Sequence, residues 1–285
     1  VEHALSITVV PHAPMFQTRT GELSMWKGFA APNAVRQAVF ACLLASVGVQ
    51  GAYQPFEGDR GFVRQLIGGE VPNEAALEPI LQKRPPSQIV DTSIKAWPIQ
   101  IYTQSAVDAA LSLRKELVEP ERIARVNITT FRAAFETVAK DPEKWQPKTR
   151  ETADHSMPYL VAAALLDGKI DRDTFTIERI TDPAIQRFLG EKISLQESPE
   201  LTDSYPEGLP NRIEIETVDG RRLLREVRYP PGHVRNPMPE ELLRQKYLAL
   251  AVPVMGAERA ARLAGCIGDL ESLSIVRDLT ELLAI

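Results

Sequence analysis

The sequence predicts a mainly helical protein that carries an α+β portion in its middle. Helical periodicity dominates the chain up to about residue 117 and again after about residue 239. Strand and hairpin patterns occur between these two stretches. We therefore expect a partial helical domain interrupted by an α+β lid, with residues 1–92 and 236–285 in the helical domain and residues 93–235 in the lid.

Two helices are predicted before the first strand. Small side chains recur at helical intervals from about Gly28 to Gly48. Pro32 fits only in a first turn, where its missing N–H costs nothing, so this helix should start near Lys27–Pro32. A second helix is predicted over about Gln104–Leu117.

The middle of the chain contains the sheet signals. Val126, Ile128 and Thr130 alternate with polar residues, as in a half-buried strand. Arg212–Tyr229 predicts a hairpin, because two alternating runs flank an Asp-Gly turn at residues 219–220. Further helices are predicted over Thr152–Leu166, Asp182–Lys192 and Pro239–Ile285.

Composition and charge exclude several classes of function. The net charge of −5 argues against a general nucleic-acid binder, because counterion release needs a basic surface. No run of about 18 apolar residues occurs, so no membrane partner or span is expected. Cys42 and Cys266 lie far apart, and the four histidines lack metal-ligand spacing. We expect a cytoplasmic protein that uses no metal and no cofactor.

Two lysines are candidates for binding an anion. Lys27 and Gly28 lie where a helix is predicted to begin, and free N–H groups and the positive end of the helix dipole favour anions there. A solvated lysine beside a capping glycine is the alternative, which spacing alone favours by roughly two to one. Lys95 lies near the predicted domain edge, where clefts bind ligands. Its alternative is a lysine that extends past Trp97 into solvent.

The segment Arg150–Tyr159 offers a candidate for proton transfer. Tyr159 follows His155 by about one helical turn, so the two side chains could share a face and supply an acid and a hydrogen-bond donor. Asp154 and Ser156 flank His155, but adjacent side chains on a helix point in different directions, which excludes a nucleophilic triad. A structural histidine is the alternative.

Five sequence blocks, spread over nearly the whole chain, carry a family resemblance. They are Ser-Met-Trp-Lys-Gly-Phe-Ala-Ala-Pro-Asn-Ala-Val-Arg from Ser24, Pro-Phe-Glu-Gly-Asp-Arg-Gly-Phe from Pro55, Ser-Ile-Lys-Ala-Trp-Pro from Ser93, Arg-Glu-Thr-Ala-Asp-His-Ser-Met-Pro-Tyr from Arg150, and Gly-His-Val-Arg-Asn-Pro-Met from Gly232. Together, and in this order, they resemble the MmgE/PrpD family. The resemblance implies an all-helical domain and an α+β lid with the active site between them.

The same resemblance implies a metal-independent lyase that acts on a small polycarboxylate. The block from Arg150 looks more like the family's dehydratases, which implies dehydration of a tricarboxylate of the 2-methylcitrate to 2-methylaconitate type. Two alternatives stay open. One is a lyase similar to cis-aconitate decarboxylase, and the other is a non-catalytic remnant that binds a polycarboxylate or only dimerises.

The resemblance also implies site residues and partners. The expected catalytic residues are Lys27, Lys95, His155 and Tyr159, and the expected substrate-binding residues are Gly28, Tyr102 and Gln104. Tyr102 stands where the family's dehydratases often carry histidine. The chain resembles the C-terminal part, somewhat over half, of a family member, so the family's N-terminal acidic and histidine site residues have no counterpart. We therefore expect a homodimer or a separate N-terminal half as partner.

Overall fold

A computed structural model describes residues 1–12, 15–68, 78, 88–117 and 119–284. The fold is mainly helical with α+β content, as predicted. The strands are β1 (Ile123–Thr130), β2 (Ile193–Glu197), β3 (Asn211–Thr217) and β4 (Arg222–Val227). In chain order the α-helices of these residues are α1 (Glu2–Val9), α2 (Trp26–Ser46), α3 (Gln104–Glu116), α4 (Arg132–Val138), α5 (Pro142–Trp145), α6 (Arg150–Ala153), α7 (Met157–Asp167), α8 (Ile177–Ile180), α9 (Pro183–Lys192), α10 (Pro199–Thr202), α11 (Glu240–Met255), α12 (Ala257–Gly268) and α13 (Val276–Leu283).

Helix α2 begins at Trp26, slightly earlier than predicted. Pro32 therefore lies inside the helix, beyond its first turn, and the prediction that it marks the first turn is wrong. A proline there leaves the carbonyl of Gly28 without its usual helical donor. The small side chains that predicted the helix still pack: Ala41 is buried, and α2 lies against α1.

The helices at both ends of the chain expose large apolar side chains. On α2 these include Val35, Val39, Phe40 and Leu43, and on α11 they include Leu242, Leu250 and Val254. Exposed apolar surface of this extent commonly marks a place where another segment or chain packs. No helix of the described ranges is long and apolar enough to cross a lipid bilayer.

A four-stranded sheet lies at the centre of the mixed region, in the order β2-β1-β3-β4. β1 pairs with β2 in parallel and with β3 antiparallel, and β3 and β4 form the predicted hairpin. Val126, Ile128 and Thr130 are buried on one face of β1, which confirms the predicted alternation. Gly220 has φ +80°, which suits the turn of the hairpin.

The main hydrophobic core lies within the mixed region and includes side chains of the sheet, α3 and α7. Every residue of α7 from Met157 to Leu165 is buried. The continuous helix predicted over Thr152–Leu166 is wrong, because the chain leaves helical geometry between α6 and α7. Ser156 caps α7 by accepting a hydrogen bond from the N–H of Tyr159 at 3.1 Å, and a proline follows in the first turn.

The two chain segments at the predicted lid boundaries run side by side. The N–H of Ile94 donates to the carbonyl of Gly232 at 2.8 Å. Gly232 has φ +85°, and a Cβ atom there would lie 1.8 Å from the carbonyl oxygen of Ile94. The close approach therefore requires glycine, both for its conformation and for its missing side chain. The division at residues 93 and 235 stays a prediction.

Gly232→Ala should lower the free energy of unfolding by at least about 2 kcal/mol, because it adds a strained φ and a backbone clash. Gly265→Ala is the matched control. Gly265 lies inside α12 with nothing within 4 Å of its Cβ position, so alanine there should stabilise by up to about 1 kcal/mol. Urea denaturation measures both variants, and equal stabilities would contradict the required close approach.

Candidate active site

The loop before α2 is fastened to the segment that begins α6. The N–H of Leu23 donates to Thr152 Oγ1 at 3.1 Å, and Thr149 Oγ1 donates to the carbonyl of Leu23 at 3.3 Å. The Leu23 side chain is buried beside these contacts. Because Lys27 follows in the first turn of α2, this docking brings its side chain to the turn between α6 and α7.

Lys27 forms a compact cluster with two residues of that turn. Its ammonium makes an ion pair with Asp154, donates to the carbonyl of Glu151 at 2.9 Å, and lies 3.1 Å from His155 Nδ1. The side chains of Lys27, Asp154 and His155 are only 11%, 17% and 12% exposed. Shielding from water makes these electrostatic contacts stronger than they would be on the surface.

Burial and Asp154 have opposite effects on the basic groups of this cluster. Burial lowers the pKa of Lys27, while the ion pair with Asp154 acts to raise it. Burial also lowers the pKa of His155 below its ordinary 6.5, and the hydrogen bond to Asp154 opposes this. The neutral imidazole is therefore the favoured form of His155 at neutral pH.

A cavity of about 300 Å³ opens beside the cluster. It is lined by Arg19, Lys95, Gln100, Ile101, Tyr102, Thr137 and His155. Burial lowers the pKa of Lys95, the charge of Asp154 acts to raise it, and the charge of Lys27 acts to lower it further. The two predicted lysines therefore lie within electrostatic range of each other, although Lys27 reaches the cavity only through its contact with His155.

The backbone that follows Lys95 is held by Gln104. The side-chain carbonyl of Gln104 accepts from the N–H groups of Ala96 at 3.0 Å and Trp97 at 3.3 Å, and its amide nitrogen donates to the Trp97 carbonyl at 3.0 Å. Gln104 is buried. Its amide thus positions the loop of Lys95, and the direct substrate contact expected of Gln104 stays a prediction.

The other two expected substrate-binding residues lie in different surroundings. Tyr102 lines the cavity, its hydroxyl lies 3.2 Å from that of Tyr205, and its ring meets Phe131 edge-on at 5.2 Å. Burial raises the pKa of Tyr102 to about 12, so the hydroxyl keeps its proton. Gly28 lies exposed in the first turn of α2, and its N–H donates to the carbonyl of Met25 at 3.0 Å, so it is not free for an anion.

Tyr159 lies inside the core of the mixed region. Its side chain is fully buried, and its hydroxyl donates to the carbonyl of Thr174 at 2.5 Å. Burial raises its pKa, so it holds its proton firmly. Because His155 lies in the turn between α6 and α7, the shared helical face predicted for His155 and Tyr159 does not form. The catalytic role expected of Tyr159 stays a prediction without support from this placement.

Three charged residues of the site were not predicted. Arg19 lines the cavity from a short 3₁₀ helix, and Lys144 of α5 is fully buried, with a pKa that burial lowers. Asp154 is the carboxylate that links Lys27 to His155. A helix-start signal could have identified Asp154, because Ser-Met-Pro at 156–158 has the pattern of an N-cap followed by an early proline. That pattern places residues 154 and 155 outside the helix.

The site combines several fixed cations with the imidazole of His155, and these groups determine the chemistry that it can support. Lysine and arginine form strong hydrogen bonds to carboxylates, and a neutral imidazole can accept a proton. In the part of the chain that the structure describes, no group of three or more His, Cys, Asp or Glu side chains is placed to hold a metal ion.

Comparison with known protein families gives two matches. Residues 97–271 match the MmgE/PrpD C-terminal domain, and residues 1–75 match the MmgE/PrpD N-terminal domain. The two matches leave residues 76–96 between them, and Lys95 lies at the end of this stretch, just before the match to the C-terminal domain begins.

Curated relatives include both decarboxylases and dehydratases. The chain is 27% identical over 258 residues to a cis-aconitate decarboxylase from Mus musculus, a match that covers 88% of this chain and 51% of the relative. It is 29% identical over 240 residues to a mitochondrial 2-methylcitrate dehydratase from Yarrowia lipolytica, covering 80% and 43%. It is 28% identical over 244 residues to a 2-methylcitrate dehydratase from Cupriavidus necator, covering 81% and 46%. The chain spans about half the length of these relatives, and identity does not separate the two reactions.

Tyr159→Phe should lower the free energy of unfolding by about 1 kcal/mol, because it removes one buried hydrogen bond. Tyr102→Phe is the control, since within the described residues its hydroxyl hydrogen-bonds only to the hydroxyl of Tyr205. Thermal or urea denaturation measures the difference. Unchanged stability in Tyr159→Phe, together with lost binding of an anionic ligand, would contradict the structural placement of Tyr159.

Proposed function

Because the chain belongs to the MmgE/PrpD family, we propose that it forms part of a metal-independent lyase site that dehydrates a small tricarboxylate, of the 2-methylcitrate to 2-methylaconitate type. One observation carries the proposal. Lys95 and Arg19 line one cavity together with His155, and the ammonium of Lys27 lies 3.1 Å from His155 Nδ1. A substrate with three carboxylates needs more than one fixed cation, and this arrangement supplies them.

Dehydration of a hydroxy acid involves three events that the site has to serve. A base takes the carbon-bound proton, the electron pair of that C–H bond forms the new double bond, and the hydroxyl leaves as water after receiving a proton. Negative charge develops on the neighbouring carboxylate as the proton departs. Fixed cations aimed at this charge lower the barrier, because they need no reorganisation during the reaction.

The residues suit these events in different ways. Lys95 and Arg19 line the cavity, so their charges can bind substrate carboxylates directly. Lys27 lies behind His155 and adds positive charge at that wall. The neutral imidazole of His155 suits proton transfer, because burial keeps its pKa below its ordinary value. Tyr102, which keeps its proton, can donate a hydrogen bond.

Two other functions stay open as alternatives. A lyase similar to cis-aconitate decarboxylase has equal support from identity, since the relative from Mus musculus with that name is 27% identical. It would use the same cations but release carbon dioxide. The second alternative is a non-catalytic remnant that binds a polycarboxylate or only dimerises. The exposed apolar side chains of α2 and α11 support an association, either with a second copy or with a separate N-terminal half.

Lys27→Met and Lys95→Met should each weaken the binding of a tricarboxylate such as citrate. The hydrogen bond that Lys95 can donate from the cavity wall contributes about 1.5–3 kcal/mol, which corresponds to about 10–100-fold in affinity. Lys27 lies behind His155, so its loss should have a smaller effect, through its charge alone. Lys169→Met is the matched control, because Lys169 is exposed and pairs with Asp171 away from the cavity. Isothermal titration calorimetry measures the affinities. If all three variants bind alike, the lysines do not form the tricarboxylate site.

The purified 285-residue chain should turn over 2-methylcitrate slowly or not at all, and EDTA should not change the rate. The chain spans about half the length of its relatives, and poor closure of the site would admit water and loosen the positioning of the substrate. Loss of 2-methylcitrate is followed by chromatography, and itaconate formation from cis-aconitate is measured in parallel to separate the two lyase reactions. Rapid dehydration by the chain would contradict the first expectation, and a rate abolished by EDTA would contradict metal independence.

A further inference from the structure

We propose that Asp154 is the positioning residue of the site: its carboxylate fixes His155 in the Nδ1–H tautomer, which leaves Nε2 as the proton acceptor, and it anchors the ammonium of Lys27. The geometry stands by itself, but the purpose assigned to it rests on the proposed function. Asp154 does not line the cavity; it acts through His155 and Lys27, which it contacts.

The tautomer follows from the chemistry of the contact. A carboxylate can only accept hydrogen bonds, and Asp154 Oδ1 lies 2.5 Å from His155 Nδ1, so the shared proton belongs to Nδ1. A neutral imidazole carries one ring proton, and its lone pair is then on Nε2. Within the described ranges, both hydrogen-bond contacts of the His155 ring are made at Nδ1, and no side chain or backbone group hydrogen-bonds to Nε2. His155 lines the cavity, so this nitrogen is the one left for a ligand.

The hydrogen bonds of Lys27 are consistent with the Nδ1–H tautomer of His155. Its ammonium lies 3.1 Å from Nδ1, but a protonated Nδ1 cannot accept, so the ammonium donates to Asp154 and to the carbonyl of Glu151. One carboxylate oxygen of Asp154 therefore accepts from both partners. The backbone holds this residue on both sides, because its N–H donates to Arg150 and its carbonyl accepts from Gln100, each at 3.0 Å.

The charge of Asp154 acts on three lysines around the site. Lys27 contacts the carboxylate from α2, and the charge of Asp154 also acts on Lys144 of α5 and on Lys95 of the cavity wall. Arg19 adds a further cation on the cavity wall near Lys95. Burial lowers the pKa of each of the three lysines and of His155. The negative charge of Asp154 acts to raise the pKa of all four groups. Removing that charge should therefore lower the pKa of His155.

A purely structural ion pair is the alternative, and it makes a different prediction. If Asp154 only fastens α2 to the turn before α7, then its loss lowers stability, and the ring of His155 need not prefer one tautomer. Measuring the tautomer and the pKa of His155 therefore distinguishes a positioning role of Asp154 from a purely structural ion pair.

The test is long-range ¹H–¹⁵N NMR of the histidine rings in the full chain, without substrate. The chain has four histidines, and His155→Gln identifies the signals of His155. At a pH where the ring is neutral, the expected result is the Nδ1–H tautomer. Asp154→Asn, which removes the charge, should lower the pKa of His155, and Asp154→Ala, which also removes the acceptor, should move the ring toward Nε2–H.

The matched control is Glu151→Gln, which removes the charge of a neighbouring carboxylate that acts on Lys27. It should leave the tautomer of His155 unchanged. A dominant Nε2–H tautomer in the unaltered chain would overturn the proposal even if no variant folds, and an unchanged pKa in Asp154→Asn would do the same. Neither measurement needs turnover. A chain that shows the Nδ1–H tautomer but binds no tricarboxylate would count against the proposed function and leave the positioning role standing.

Discussion

The site depends on one partly buried carboxylate that is surrounded by basic groups. Asp154 pairs with Lys27, accepts from His155, and lies within electrostatic range of Lys95 and Lys144. Without it, burial would favour the neutral forms of the lysines, since desolvation penalises charge. The tricarboxylate site that we propose would need both effects, because it would have to bind carboxylates while His155 stays neutral. Asp154 keeps the cations available, and burial keeps the pKa of His155 low.

The packing of the mixed region explains how this carboxylate is held in place. Helix α7 is buried along most of its length, so its N-terminus is fixed, and the N-cap Ser156 ends the turn that carries Asp154 and His155. The loop of Lys95 is held in a similar way by the buried amide of Gln104 and by the close contact of Ile94 with Gly232. Both functional segments are therefore short, irregular stretches that regular structure anchors at their ends, which favours precise geometry.

The sequence predicted features that depend on local pattern and missed those that depend on distant contacts. The alternation of β1 and the Asp-Gly turn of the hairpin were read from neighbouring residues, and both are confirmed. Pro32 was misplaced because a local rule about first turns ignored the earlier start of α2. Lys144 and Arg19 carried no signal, because each joins the site only through packing against segments that are remote in the chain. Asp154 was visible, but its role followed only from the break between α6 and α7.

The docking of Leu23 onto Thr152 also constrains the order in which the chain can fold during synthesis. These two residues are separated by 129 positions, so the loop of Lys27 leaves the ribosome long before its partner exists. Contacts of such separation form late, since a long stretch of chain must first be closed. The apolar side chains of α2 are consequently synthesised well before α6 and α7. Until α6 has emerged, Leu23 also lacks the segment against which it is buried, so the nascent chain exposes more apolar surface than the folded one. Chaperone dependence would then follow from the position of the site itself.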